Sequence, residues 1–397
     1  MARRVALVGS SYHPHVGGVE SHVRHVASQL RESGVDVEVW TVDRGEHLGV
    51  TELDGIVVRH LPTPLPAGSL SALASFAVSA PRAWRRWVSA FREFRPDVLH
   101  VQCFGPNGVY AAALARRTAV PLVVSSHGET TGDDHDVFGG SALLRLALRR
   151  AIASAAAVTG CSEPVLDDLR TRFGLVGGTV VPNGVGEPAP GSRSGAALLG
   201  ADPPAGRIVL GVGRLGAPKG FDLLVEAFAE LDPAVDATLV IVGDGPHRDV
   251  LTSLGDRLGL GDRLQLVGAL DEAGVDAWMR RADVVVVPSR KEAFGIVALE
   301  AWRAGTPLVA TALGGPASFV TDGVDGLLVD PVNTGALAGA VESVLCDPDL
   351  ARRLSEAGLV SVRAYTWTRV ARDYAAIYAS IYASIAEPTV AERPSRS

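Results

Sequence analysis

The chain has 397 residues, enough for two or three domains of ordinary size, each with its own apolar core. Hydrophobic residues make up 47% and charged residues 20%, and no apolar run reaches the ~18 residues needed to cross a bilayer. A formal net charge of −7 speaks against a nucleic-acid binder, whose phosphate partner calls for a basic surface.

The N-terminal Met-Ala-Arg-Arg has the charge of a signal sequence for four residues. It then breaks at Gly9-Ser10, so Val5–Val8 reads as a first strand. Gly17-Gly18-Val19-Glu20 follows and opens a helix. The two glycines let an anion lie against backbone amides there, with an ordinary Gly-rich turn as the alternative. Strands at Val35–Trp40, Val98–Val101, Leu122–Ser125, Ala156–Thr159 and Thr179–Val181 alternate with helical patterns, as in a doubly wound parallel sheet. Within Arg82–Arg95, Trp84, Trp87, Val88, Phe91 and Phe94 form one stripe ringed by arginines. Such a helix covers a sheet or rests on an anionic membrane, so a peripheral contact with the inner face of the membrane stays open.

The strand Leu122–Ser125 runs into His127-Gly128, a histidine at the carboxyl end of a strand, where catalytic groups collect, with a satisfied core histidine as the alternative. Asp133, Asp134 and Asp136 just beyond, and the set His13, His15, His22 and His25, hold metal-ligand types without tight ligand spacing. No metal is expected, and the acidic loop is read as lining an acceptor pocket. Cys103, Cys161 and Cys346 are odd in number and outside any Cys-x-x-Cys spacing, as expected for reduced thiols in a cytoplasmic protein.

Periodicity dissolves between Gly186 and Gly206 and returns with strands at Ile208–Leu210, Thr238–Val242, Leu264–Val267, Val284–Val287, Leu308–Ala310 and Leu327–Val329. The expected organisation is therefore α/β, with two Rossmann-like domains facing a cleft. Residues 1–186 form the first and 207–365 the second, joined by a linker over 187–206. A helix over 366–386, with Tyr374, Tyr378 and Tyr382 on one stripe, crosses back to pack on the first domain. A tail over 387–397 is expected to be disordered.

Only two lysines occur, Lys219 and Lys291, against 35 arginines, the 37 basic residues less two. Lysine is a compact point charge suited to a phosphate oxygen in a narrow site. Gly211-Val212-Gly213-Arg214-Leu215-Gly216 matches a dinucleotide fingerprint, but Pro218 and Lys219 delay the helix that such a fingerprint needs. An Arg214/Lys219 pair fits a diphosphate leaving group better than it fits NAD. After Val284–Val287, Glu292 is placed to reach sugar hydroxyls. Phe294-Gly295-Ile296 opens a helix whose amides are placed for a phosphate, and Glu300 is placed to reach a ribose, with exposed helix residues as the alternative for both glutamates.

Together Gly17-Gly18-Val19-Glu20, His127-Gly128, Asn183-Gly184-Val185, Gly213-Arg214…Lys219-Gly220, Gly243-Asp244-Gly245-Pro246 and Glu292…Glu300 resemble the retaining family 4 glycosyltransferases of the GT-B fold, over nearly the whole chain. That resemblance implies a UDP- or GDP-sugar as donor substrate, with no cofactor. The acceptor is a hydroxyl on a sugar, a lipid-linked sugar or a small-molecule aglycone, and the setting is cell-envelope, polysaccharide or natural-product glycoside synthesis. It assigns Arg214 and Lys219 to the diphosphate, Glu292 to the donor sugar, Glu300 to the ribose, His127 beside the sugar, and the backbone near Leu270 to the base. It also implies front-face attack within an ion pair. An inactive partner subunit and an NAD-dependent oxidoreductase remain the alternatives.

Overall fold

The computed structural model describes residues 4–12, 17–66, 69–131, 137–187, 204, 206–232 and 234–386. The expected linker, apart from its two ends, lies outside these residues. So do the tail from 387, Asp133, Asp134 and Asp136, and the pair His13 and His15.

Two sheets, parallel but for one edge strand, carry the fold. The first contains β1 (Arg4–Gly9), β2 (Asp36–Val42), β3 (Val50–Leu53), β4 (Ile56–Leu61), β5 (Val98–Gln102), β6 (Leu122–Ser126), β7 (Ala157–Gly160) and β8 (Thr179–Val180), in spatial order β3-β4-β2-β1-β5-β6-β7-β8. The second contains β9 (Arg207–Val212), β10 (Ala237–Val242), β11 (Leu264–Gly268), β12 (Val284–Val287), β13 (Leu308–Thr311) and β14 (Leu327–Val329), ordered β11-β10-β9-β12-β13-β14. The central strands are continuous apolar runs because helices cover both faces; Val5–Val8 and Val284–Val287 are buried throughout. Strand order reverses between β1 and β5 in one sheet and between β9 and β12 in the other. Each reversal opens a crevice at the carboxyl edge.

The β3–β4 hairpin is absent from the sequence reading, although Asp54-Gly55 between two β-prone runs marks it. Asp54 (φ 53°) and Gly55 (φ 74°) both adopt the left-handed region that a tight hairpin turn demands. The stripe-bearing helix also starts earlier than Arg82, at Leu70, with the Ser69 hydroxyl accepting from the amide of Ala72. Trp87 and Phe94 of its stripe are buried in the core of the first domain, and Trp84, Val88 and Phe91 pack on that core. The stripe is therefore spent on the sheet, leaving Arg82, Arg85, Arg86 and Arg92 outward. Among the described residues no helix is long and apolar enough to cross a membrane.

The chain leaves the first domain at Asn183–Gly186 and returns through Tyr365–Trp367. Val185 pairs in parallel with Thr366, and its amide donates to the carbonyl of Tyr365 at 2.9 Å. A Cβ on Gly184 would meet the amide nitrogen of Trp367 at 2.6 Å, so only glycine allows this approach. From there the helix Trp367–Ala386 runs along the helix Gly18–Glu32, burying Trp367, Val370, Tyr374, Tyr378 and Ile381 in the core beneath β1 and β5.

Candidate active site

Four carboxyl-edge loops of the second sheet stack on one another, and glycines make the stacking possible. Gly213 (φ 152°) follows β9 and leads through Arg214 into a 3-10 turn at Ala217–Lys219, so the helix begins only at Phe221. Gly220 (φ 66°) lies against the carbonyl of Pro288, where a Cβ would overlap it. The carbonyl of Pro218 then accepts from the amides of Arg290 (2.8 Å) and Lys291 (3.2 Å). Arg290 grips Asp222 with both guanidinium arms, at 2.6 and 2.7 Å, which holds Asp222 below the usual carboxylate range despite its burial. The Gly243-Asp244-Gly245-Pro246 loop braces the Arg214 turn, with the amide of Leu215 donating to the carbonyl of Asp244 and that of His247 to Leu215.

This scaffold brings Lys219 to Glu292. The ammonium donates to Oε2 of Glu292 at 2.7 Å, and the Ser289 hydroxyl donates to the same oxygen at 2.9 Å. The pair lies between β9 and β12, the point where strand order reverses. Arg214 is exposed on the neighbouring turn. Gly295 (φ 94°) caps the helix Ile296–Ala304, while Gly314 and Gly315 press against the backbone of Glu292 and Phe294 too closely for any side chain. The ring of Phe294 is buried and stacked on Phe319, so the side chain serves the core. Leu270, just beyond β11, packs partly on the same core. Glu300 is half-buried on its helix. Burial pushes its carboxyl up, with nearby Arg303 opposing the rise.

Across the cleft, the loop after β6 places His127. Glu129 folds that loop: its carboxylate accepts from the amides of Phe104 (2.8 Å) and His127 (2.7 Å) and from the Ser126 hydroxyl (2.9 Å). Gly128 lies against Ala293, and the Ser162 hydroxyl donates to the carbonyl of Ala293 at 2.5 Å. The His127 loop thus touches the Glu292 loop directly. Gly18, at the start of the first helix, faces Ile296 of the second domain, 3.7 Å from where its Cβ would stand. A cavity of about 320 Å³ opens between the domains, lined by Thr131, Pro164 and Val165 on one side and by Lys291, Glu292 and Gly314 on the other. His127 Nε2 meets Oε1 of Gln102 at 2.7 Å, and burial pulls its imidazole down to about 3. Ser289, Gln102 and Glu129 did not emerge from the sequence. The available signals were the three-residue spacing of Ser289 to Glu292 and a glutamine closing a mostly apolar strand.

Residues 16–186 match the family described as Glycosyltransferase Family 4, and residues 201–359 match Glycosyl transferases group 1. The chain is 33% identical over 371 residues to a phosphatidyl-myo-inositol mannosyltransferase of Mycobacterium leprae, covering 91% of this chain and 92% of the relative. The chain belongs to the family 4 glycosyltransferases. A D-inositol 3-phosphate glycosyltransferase of Catenulispora acidiphila is 30% identical, with 91% and 90% covered. Sucrose-phosphate synthase from Thermosynechococcus elongatus superposes with a TM-score of 0.80 at 25% identity, over 96% of this chain and all of that one. The paired parallel-sheet domains of this glycosyltransferase are the GT-B architecture. Its six motifs line the edges of the two crevices and the junction between the domains.

Proposed function

We propose that this glycosyltransferase moves a hexose-type sugar from a UDP- or GDP-sugar to an acceptor hydroxyl, with retention of anomeric configuration and without a metal ion. The observation that carries the reading is the Lys219–Glu292 pair at the strand-order reversal, beside Arg214 and the helix N-terminus at Gly295. A diphosphate there would draw Lys219 toward its oxygens, and the helix amides would share the developing charge as the sugar–phosphate bond breaks. Glu292, relieved of the ammonium, would take the sugar hydroxyls.

Double displacement needs a carboxylate beneath the anomeric carbon. With donor bound, Glu292 would be occupied by sugar hydroxyls, and Glu129 is engaged by the amides of Phe104 and His127 and by the Ser126 hydroxyl, which supports front-face attack instead. The acceptor would enter on the face the diphosphate leaves, and contact between the Gly128 and Ala293 loops would keep water out.

The test is incubation with UDP- and GDP-sugars and a panel of acceptors, beginning with inositol phosphates and lipid-linked sugars and extending to small aglycones. Proton NMR then reads the anomeric configuration of the product. An inverted product refutes retention. Activity lost in EDTA and restored by Mg²⁺ or Mn²⁺ refutes metal independence and points to Asp133, Asp134 and Asp136. Donor binding without turnover would favour a partner subunit. A thermal-shift screen finds the donor first, since binding raises stability by RT ln(1 + [L]/Kd).

A further inference from the structure

Serine stands at the N-cap of the helices Leu70–Phe94, Ala142–Ser154 and Glu163–Phe173, but it caps only the first two. The Ser69 hydroxyl accepts from the amide of Ala72 and that of Ser141 from the amide of Leu144, the usual three-residue reach of a cap. Ser162 has the extended backbone of a capping residue (φ −153°, ψ 164°), yet its side chain meets no amide of its own helix. Its hydroxyl crosses to the second domain and donates to the carbonyl of Ala293 at 2.5 Å. The Cys161 thiol lies 3.7 Å from the same oxygen. Both residues are almost wholly buried, and Cys161 and Val165 pack into the second domain's core with Phe294.

That carbonyl belongs to the residue after Glu292. From its own domain the loop is held by the amide of Gly315, which donates to the carbonyl of Glu292 at 2.8 Å, and by the parallel bridge of Glu292 to Gly314. From the first domain it is held by Ser162. Gly128 shapes the same contact, since a Cβ there would stand 2.4 Å from the Cβ of Ala293. Two successive carbonyls, those of Glu292 and Ala293, are thus gripped from opposite sides of the cleft. A bond between a neutral hydroxyl and a carbonyl has small net worth when both groups have other partners, so it can be made and broken without large cost.

We propose that Ser162 is a positioning residue for Glu292: its hydroxyl leaves its own helix, takes the Ala293 carbonyl across the cleft, and so sets the Glu292 loop only while the domains are together. With the domains apart, the hydroxyl turns back to the amide of Val165, the partner three residues on that Ser69 and Ser141 use. Closing then exchanges one hydrogen bond for another, which suits a contact that must also release. The inference rests on the reading of Glu292 as the residue on the donor sugar, and it deepens that reading. A nucleotide can bind the second domain while the cleft is open, and transfer waits until the first domain has set Glu292.

The experiment compares the unaltered chain with Ser162→Ala, which removes the hydroxyl, and Ser162→Asp, which supplies a strong helix cap but has no proton to give a carbonyl. One readout is the rate at which iodoacetamide alkylates Cys161, followed by peptide mass, because that thiol is covered by the second domain's core. The other is turnover with the donor found by thermal shift, beside calorimetric titration of free UDP or GDP. In both variants Cys161 should be alkylated at least about threefold faster and turnover should fall about fivefold to tenfold, while nucleotide affinity stays within about twofold. Unchanged alkylation in Ser162→Ala overturns the proposal. So does normal turnover in Ser162→Asp, which would make Ser162 a helix cap and no more. Faster alkylation with unchanged turnover in Ser162→Ala also overturns it, since the contact would then hold the domains without setting Glu292. An unaltered chain that transfers sugar from no donor refutes the proposed function and the proposal with it, a result distinct from any loss seen in the variants alone. Should Ser162→Ala fail to fold, Ser162→Gly removes the same hydroxyl at a position where caps tolerate glycine, and the same losses are required of it.

Discussion

Lys219 and Glu292, 73 positions apart in the chain, form an ion pair of 2.7 Å on the second domain's side of the cleft. On the proposed reading, a donor diphosphate would draw Lys219 out of this pair. Lysine presents a single point of charge, and the Glu292 oxygen it meets already receives the Ser289 hydroxyl. A guanidinium would have to displace one of them. Lys219→Ala should lower kcat/KM on the order of 10²-fold, as loss of one oxyanion donor does. Lys219→Arg should lose at least half of that effect on a free-energy scale. Steady-state kinetics decides it, and near-normal Lys219→Arg kinetics would mean that any positive charge serves.

Glu292 and Glu300 should separate in their effects. Glu292→Gln removes a charge that acts once the sugar is in place, so turnover should drop on the order of 10²-fold while free nucleotide binds nearly as before. Glu300→Gln should instead weaken nucleotide binding itself. Calorimetric titration with UDP and GDP distinguishes the two, and equal losses of affinity would contradict the division.

Gly220 should tolerate no side chain. Its backbone sits at φ 66° and a Cβ would overlap the carbonyl of Pro288. Gly220→Ala should cost about 2–4 kcal/mol in denaturant unfolding, from overpacking added to backbone strain. It should also lower activity beyond the stability loss, because it pushes the Lys219 turn off the Glu292 loop. Unchanged unfolding would show that the loops are free to separate.

Acid should weaken the first domain. Burial lowers His100 and His127 to about 3 from the usual 6.5, so the unfolded chain binds protons that the folded chain refuses. Stability is therefore full above pH 6.5 and declines as the pH falls toward 3. Urea midpoints from pH 7 to 4 should fall, with a shallower slope in His100→Asn. An identical slope in that variant would place the proton uptake elsewhere.

The loops that meet at Lys219 and Glu292 were legible because their residues announce themselves locally. A Pro-Lys after a Gly-rich turn, and a glutamate between a buried valine strand and a glycine, are short-range patterns. The pairing of Lys219 with Glu292 was not legible, since it depends on β9 and β12 being neighbours. The tyrosine stripe was legible as packing, and Tyr374 and Tyr378 are indeed buried. Where their hydroxyls point is a property of the opposing strand, and no period in the helix carries it. The arginine-rich helix was ambiguous for the same reason: an apolar stripe does not say what covers it.

The junction at Val185 and Thr366 carries a topological consequence. Everything between those two positions is an insert: the chain departs and re-enters at adjacent points, joined by a bridge and one backbone hydrogen bond. The first domain is thus continuous in space but interrupted in sequence, and a fragment cut at residue 186 would lack the helix that bears Tyr374. Excising 186–365 and rejoining Val185 to Thr366 through a short turn would preserve that helix. The same adjacency leaves the insert joined to the first domain by a narrow double tether, which would suit a cleft that opens and closes around the proposed donor.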